Sequence, residues 1–249
     1  MRKSYPADSA PSGDSPMVDL SAEMVPLLAS FRPAPAGQGR VIQFAAARSG
    51  AGVSTFAREF ARAAAAQARR PVWLIDLDLA APGQAEALKA QARRYGGLGQ
   101  AASASPDGTA FFAVQPALRA ADGQAVPDGR YLEGRRVGNG RLWVARFRRE
   151  ALRGKQQARL LPSGDYWRTM RRFAEWVVLD APAADRSDAA VTAAPFVDAT
   201  VLVVSADDPD TKGPAALRSA IEQAGGRCAG LVFNRARIET PRFLKRMLG

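Results

Sequence analysis

The most constraining feature of this chain is a short apolar run, a loop of small residues and a helical pattern, followed by a second apolar run. Residues 41–46 (VIQFAA) are mostly apolar, and residues 47–53 (ARSGAGV) form the loop. From Ser54 onward, Phe56 and Phe60 recur at helical spacing. Residues 71–75 (PVWLI) then lead into Asp76. Strand, helix and strand in this order predict a right-handed parallel βαβ unit.

The remainder of the chain repeats this alternation, which predicts one α/β domain over 39–238 with a doubly wound, mostly parallel sheet. Further strands are predicted at 141–147, 176–179, 199–205 and 229–233, and helices at 83–95, 166–175 and 213–224. Residues 1–38, rich in Pro, Ser, Ala and Gly, are expected to be a disordered or partly helical leader with a short helix over 19–31. Apart from its helix, 83–140 is expected to be irregular.

Composition excludes several kinds of site. The chain has no histidine and a single cysteine, Cys228, so histidine-based catalysis and zinc binding are excluded and no internal disulfide can form. The formal net charge of +11 favours anionic partners, although the arginines could equally lie on solvated faces. No apolar run is long enough for a membrane span, and the N-terminus lacks the apolar core of a secretory signal. We therefore expect a cytoplasmic protein.

The loop AARSGAGVST is similar to a phosphate-binding loop, G-x-x-x-x-G-K-[ST], followed by a helix. Gly50 and Gly52 supply turn freedom, and Ser54 and Thr55 match the Ser/Thr positions. Val53 stands at the lysine position, where the ammonium group would neutralise phosphate charge. Its loss is worth on the order of a few kcal/mol in phosphate binding or transition-state stabilisation. The alternative is that Ser54 only caps the helix and the glycines only shape a turn.

Polar residues follow several predicted strands. Asp76 and Asp78 end the second strand, Asp180 ends the strand at 176–179, and Asn234 ends the last. Ligands of open α/β sheets bind at these carboxyl ends, so the four residues and the loop are expected to meet. Each alone could be ordinary turn chemistry at a strand end.

Three segments carry a resemblance to a known family: VWLIDLDLAAPGQ, WVVLDAPAAD and the closing strand, helix and strand at 199–234. With the loop, they resemble the bacterial tyrosine-kinase domains that partner polysaccharide co-polymerases, and their ParA and MinD relatives, all P-loop NTPase-like proteins. The resemblance implies ATP or ADP with Mg²⁺ as cofactor, if any is retained. It implies catalytic roles for Asp76, Asp78 and Asp180, Mg²⁺ ligation by Ser54, Asp76 and Asp180, and nucleotide binding by Arg48, Gly50, Gly52, Ser54, Thr55 and Asn234.

The chain departs from the pattern of that family at several positions. Besides Val53, the arginine expected two residues after Asp78 is Ala80. No tyrosine cluster ends the chain, since the tyrosines are Tyr5, Tyr95, Tyr131 and Tyr166. Arg48 stands at the position of the additional lysine of ParA-like loops, and can replace its charge but not its geometry.

The C-terminal segment 239–249 resembles the short amphipathic tail of MinD-type proteins. As a helix it would combine an apolar stripe with basic flanks, which suits an anionic membrane, whereas the alternative is a final helix packed on the domain. The residues concerned are Phe243, Leu244, Lys245, Arg246, Met247 and Leu248.

Two functions are consistent with these patterns. One is a degenerate kinase-like protein, peripheral to the inner membrane, that regulates or scaffolds an integral-membrane polysaccharide co-polymerase. The other is a MinD- or ParA-like ATPase that positions cargo on membrane or nucleoid. Homo-oligomers fit either function. A nucleic-acid binder ranks last, because no nucleic-acid module or stacking surface is evident.

Overall fold

The computed structural model of the protein describes residues 20–32 and 34–235. The strands are β1 (Arg40–Ala45), β2 (Val72–Asp76), β3 (Leu98–Ser103), β4 (Phe112–Gln115), β5 (Leu132–Val137), β6 (Leu142–Phe147), β7 (Gln157–Leu160), β8 (Trp176–Asp180), β9 (Ala199–Ser205) and β10 (Cys228–Asn234). The α-helices are α1 (Ser21–Ala29), α2 (Val53–Gln67), α3 (Gln84–Ala90), α4 (Ala92–Tyr95), α5 (Asp165–Phe173), α6 (Ala189–Ala193) and α7 (Lys212–Gln223).

Eight strands form the central sheet, in the order β10-β9-β1-β8-β2-β6-β5-β3. From β10 to β6 every neighbouring pair is parallel, whereas β5 is antiparallel to β6 and β3 is antiparallel to β5. The strands β4 and β7 form a separate two-stranded antiparallel sheet. The prediction of a doubly wound, mostly parallel sheet is confirmed.

Helices cover both faces of this sheet. Along β1 the side chains alternate between faces, as a strand requires. Ile42 and Phe44 pack in the apolar cluster beneath α1, α2 and α3, while Val41 and Ala45 belong to the cluster beneath α5, α6 and α7. The loops at the carboxyl ends of the parallel strands therefore begin from a sheet that is packed against helices on both faces.

The short helix predicted within the leader is present as α1. Met24 on this helix is fully buried. After α1, the Phe31 ring meets Phe60 of α2 and Trp176 of β8 edge to face, with ring centroids 5.8 and 6.1 Å apart. This segment is therefore part of the core on the α2 face.

The structure differs from expectation over 83–140. The predicted helix forms as α3 and α4, but the expected irregularity is wrong for β3, β4 and β5. The charged sequence of β5 conceals a strand, because its Glu133 is buried among Arg135, Arg146 and Arg148. A Cβ atom on Gly134 would lie 2.7 Å from the Trp73 ring, so this glycine leaves room for the indole to approach the strand.

Candidate functional site

The phosphate loop, residues 46–52, joins β1 to α2. Gly50 and Gly52 have φ angles of 83° and 98°, which favour glycine. Gly52 is the N-cap residue of α2, and its carbonyl accepts hydrogen bonds from the N–H groups of Thr55 and Phe56. The helix N-cap is therefore Gly52 and not Ser54, which lies in the first turn.

Val53 begins α2 with an apolar side chain at the family's lysine position. The side chain is 8% exposed and belongs to the cluster on the α2 face. It offers neither charge nor a hydrogen-bond donor to a phosphate. The loop therefore has no cation at the position where the resembling motif has lysine.

Arg48 is paired with acidic residues that follow β9. Its Nε and Nη2 atoms lie 3.0 Å from Asp210 Oδ2, and its Nε lies 3.7 Å from Asp208. The side chain is 61% exposed. The charge expected to substitute for lysine is therefore balanced by the protein's own carboxylates.

A carboxylate of the protein also holds the phosphate loop. Asp185, five residues beyond Asp180, accepts hydrogen bonds from the Ser49 backbone N–H (2.9 Å) and the Ser49 hydroxyl (2.8 Å). These two bonds hold the pKa of Asp185 below its ordinary value. An N–H group of the loop is thus engaged by an internal anion.

The acidic pair Asp76 and Asp180 lies beside the loop, in register at the ends of β2 and β8. Asp76 accepts three backbone N–H groups, from Asp78 (3.0 Å), Gly83 (2.7 Å) and Gln84 (3.0 Å). Burial raises the pKa of Asp76 to about 6 despite those bonds. Burial, and next the charge of Asp76, raise the pKa of Asp180 to about 7.

Gln84, at the start of α3, was missed by sequence reasoning. Its amide nitrogen donates to Asp180 Oδ2 at 2.6 Å and to the Ser54 carbonyl at 2.8 Å. Its amide oxygen accepts from Nη1 of Arg58 at 3.0 Å. No local motif indicates this residue, because its partners belong to α2 and β8.

Asp78 shapes the turn after β2. One of its oxygens accepts the N–H groups of Ala80 (3.0 Å) and Ala81 (2.8 Å), and the other pairs with Arg186. Arg186 was also missed by sequence reasoning. Arg186 therefore supplies a cation to the cleft, whereas Ala80, which stands at the position of the family's arginine, supplies none.

Asn234 contacts the phosphate loop directly. Its Nδ2 donates to the Ala51 carbonyl at 2.9 Å, and its Oδ1 accepts from the Arg235 N–H at 2.9 Å. A Cβ atom on Gly52 would lie 2.2 Å from that Nδ2. Both polar atoms of this amide, which is expected to bind nucleotide, are thus engaged with the protein.

One cleft of about 290 Å³ lies at the carboxyl ends of β1, β2 and β8. Residues 48–52 of the loop, Ser54 and Thr55 line it, together with Asp76, Asp78, Asp180 and Arg186. A second cavity of about 630 Å³ adjoins it and shares Asp78, Pro182 and Arg186. The structure therefore brings the loop and the three strand-end aspartates together around one cleft.

The predicted Mg²⁺ ligands do not fit a metal as they are arranged here. Asp180 Oδ2 accepts a hydrogen bond from the Gln84 amide, and both oxygens of Asp76 are engaged by backbone N–H groups. Mg²⁺ requires near-octahedral oxygen coordination and usually keeps several waters. No group of three or more acidic or cysteine side chains able to hold a metal is found among residues 20–32 and 34–235.

Two further expectations concern membranes. The predicted membrane-binding residues, Phe243 to Leu248, lie outside the described residues. Over the part of the chain that the structure describes, no helix has the length and apolar character needed to cross a bilayer.

Comparison with known proteins places this geometry in a structural context. Neither the models of known protein families nor the sequences of curated proteins match this chain. Among solved structures, the kinase domain of VpsO matches with 19% identity and a TM-score of 0.51, over 87% of this chain and 95% of that domain. The chimeric protein CapA2B2 matches with 18% identity and a TM-score of 0.56, over 90% of this chain and 88% of its own.

The kinase domain of the Escherichia coli tyrosine kinase ETK also matches, with 14% identity and a TM-score of 0.46, over 83% of this chain and 72% of that chain. At these identities the similarity concerns the fold. The chain has the P-loop NTPase-like α/β fold of bacterial tyrosine-kinase domains, with a phosphate loop that lacks its lysine.

Proposed function

We propose that this chain is a disarmed protein of the bacterial tyrosine-kinase fold that regulates or scaffolds an integral-membrane polysaccharide co-polymerase. Val53 is the observation that carries this proposal. In a phosphoryl-transfer site the lysine ammonium balances charge on the β and γ phosphates. A buried valine cannot do so, and the loop's other cation, Arg48, is paired with Asp208 and Asp210.

The electrostatics of the cleft support weak or absent kinase activity. The side chains of Asp76 and Asp180 face a site with no lysine, and Asp185 adds a carboxylate at Ser49. Of the two arginines that line the cleft, Arg186 pairs with Asp78 and Arg48 pairs with Asp210. A nucleoside triphosphate would be repelled by the carboxylates of this site, and little would offset the free-energy cost of its lost hydration.

The partner follows from the resemblance of the motifs to kinase domains that act with co-polymerases. A formal net charge of +11 also favours acidic protein surfaces and anionic membranes. The proposal places the protein in the cytoplasm at the periphery of the inner membrane, as a monomer or a homo-oligomer. The basic tail with Phe243 and Leu244 would add a membrane contact.

Two measurements test the proposal. Affinity-tagged protein should co-purify with the co-polymerase of the same cell after mild solubilisation. Purified protein incubated with ATP and Mg²⁺ should show no phosphotyrosine above that of the matched Asp180→Asn variant. Tyrosine phosphorylation that disappears in Asp180→Asn would refute the loss of kinase activity, and absence of the co-polymerase from the purified complex would refute the scaffold role.

A MinD- or ParA-like ATPase is the second candidate, because Asp76 and Asp180 remain beside the loop at the ends of β2 and β8. Such an ATPase should hydrolyse ATP faster in the presence of anionic liposomes or DNA, and Asp76→Ala should abolish the stimulation. Hydrolysis that neither surface stimulates would exclude it.

A further inference from the structure

Gln84 hydrogen-bonds both carboxylates of the acidic pair and the backbone carbonyl of Ser54. We propose that its side-chain amide, backed by the buried guanidinium of Arg58, engages the Asp180 oxygen that would otherwise ligate a divalent cation. The wild-type site then does not bind Mg²⁺, and removing the Gln84 amide makes it able to do so. This inference rests on the geometry of the cleft and does not require the proposed partner.

The hydrogen bonds of Gln84 are complete. Its side chain is 1% exposed, and the two hydrogens of its amide nitrogen go to Asp180 Oδ2 (2.6 Å) and the Ser54 carbonyl (2.8 Å). The amide oxygen is held by Arg58. A buried amide with all these bonds made is fixed in orientation, and displacing it would leave several buried groups unpaired.

Gln84 also binds the second carboxylate, through its backbone. Its N–H donates to Asp76 Oδ2 at 3.0 Å, next to the N–H of Gly83 at 2.7 Å on the same oxygen. A single residue therefore engages both members of the acidic pair. For Asp76 to ligate a metal through this oxygen, the turn that leads into α3 would have to release its N–H groups.

Arg58 supplies the positive charge that a metal would otherwise bring. It lies on α2 after the loop, is 7% exposed, and its charge attracts Asp180. The guanidinium carbon lies 5.9 Å from the centre of the Tyr95 ring, a favourable cation–π position. The Arg58 guanidinium thus donates to the amide oxygen of Gln84 and polarises the amide, whose nitrogen donates to Asp180.

The direct test is a titration with Mn²⁺, in which electron paramagnetic resonance measures the concentration of the free ion. Wild-type protein should leave Mn²⁺ free at concentrations where Gln84→Ala binds it with at least tenfold higher affinity. Gln67→Ala, which removes an exposed glutamine at the end of α2, should behave like wild type. Adding Asp180→Asn to Gln84→Ala should abolish the new binding.

Two outcomes would overturn the inference. Wild-type binding as tight as that of Gln84→Ala, and lost in Asp180→Asn, would show that the amide excludes no metal. A folded Gln84→Ala protein that binds no Mn²⁺ would show that Gln84 is not what excludes it. Gln84→Ser, which is small but polar, serves the same comparison should the alanine variant not fold. Neither outcome depends on co-purification with a co-polymerase, so the two proposals can fail separately.

Discussion

At the scale of single residues, the proposed loss of activity depends on Val53, which offers a phosphate no charge. Val53→Lys should increase affinity for ADP roughly tenfold or more, because a charge-assisted contact is worth about 1.5–3 kcal/mol. Val53→Met, of similar length but uncharged, is the matched control and should leave affinity unchanged. Calorimetry with ADP, with and without Mg²⁺, measures both. Equal gains in the two variants would mean that charge is not what the loop lacks.

The acidic pair makes stability depend on pH. The pKa of Asp180 is raised to about 7 and that of Asp76 to about 6, above an ordinary value of about 3.9. Between about pH 4 and pH 7 the folded protein therefore binds more protons than the unfolded chain, so the free energy of unfolding falls as pH rises.

Replacing one carboxylate should remove part of the decrease in the free energy of unfolding that occurs as pH rises. Asp180→Asn keeps an acceptor for Gln84 and should be more stable than wild type by about 1–3 kcal/mol above pH 7, with the gain vanishing near pH 4. Denaturant unfolding across this range is the measurement. Asp207→Asn, at an exposed position after β9, should show no such pH-dependent gain. A gain for Asp180→Asn that does not change with pH would contradict the assignment.

Part of the candidate site is predictable residue by residue. Gly50, Gly52, Asp76 and Asp180 follow from short motifs at strand ends, because a parallel sheet brings those ends together. Side-chain pairing across the chain is not predictable in this way. Ser49 and Asp185 are separated by 136 residues, and Gln84 and Asp180 by 96. No local sequence pattern indicates such pairs, so these hydrogen bonds within the protein are visible only in the structure.

At the scale of elements, the phosphate loop and β10 are coupled through Gly52. Gly50→Ala should lower the free energy of unfolding by about 1–2 kcal/mol, the cost of a left-handed backbone, since its Cβ would meet no atom within 4 Å. Gly52→Ala should cost roughly twice as much, because Asn234 must also move. Denaturant unfolding of both variants measures the difference. Equal losses would mean that β10 yields to the loop without cost.

Elements differ in how well their sequences predict them. The strand β9 reads ATVLVVS, a buried apolar run, and its predicted and observed bounds coincide. The strand β5 reads LEGRRV and was missed, because its stability comes from hydrogen bonds to β3 and β6 and from arginines around Glu133. Patterns of apolar residues detect strands that are buried on both faces. They do not detect strands whose charges are paired within the protein.

At the scale of the whole molecule, net charge should govern the encounter with membranes. A formal charge of +11 attracts the chain to anionic bilayers, and this attraction is screened over about 8 Å at physiological salt. The protein should co-sediment with vesicles containing phosphatidylglycerol at low salt and not with pure phosphatidylcholine vesicles. Raising NaCl to about 0.5 M should remove most of the binding that charge alone provides.

The contribution of the C-terminal tail can be distinguished from that of the net charge by the membrane binding that remains at high salt. Apolar insertion is not screened, so Phe243 and Leu244 would leave a salt-resistant fraction on anionic vesicles. A variant carrying Phe243→Ser and Leu244→Ser keeps every charge and should lose this fraction while retaining binding at low salt. Wild-type protein with no salt-resistant fraction would mean that the tail is not a membrane anchor. Binding of both proteins would then be electrostatic only, and attachment to the membrane would depend on a protein partner.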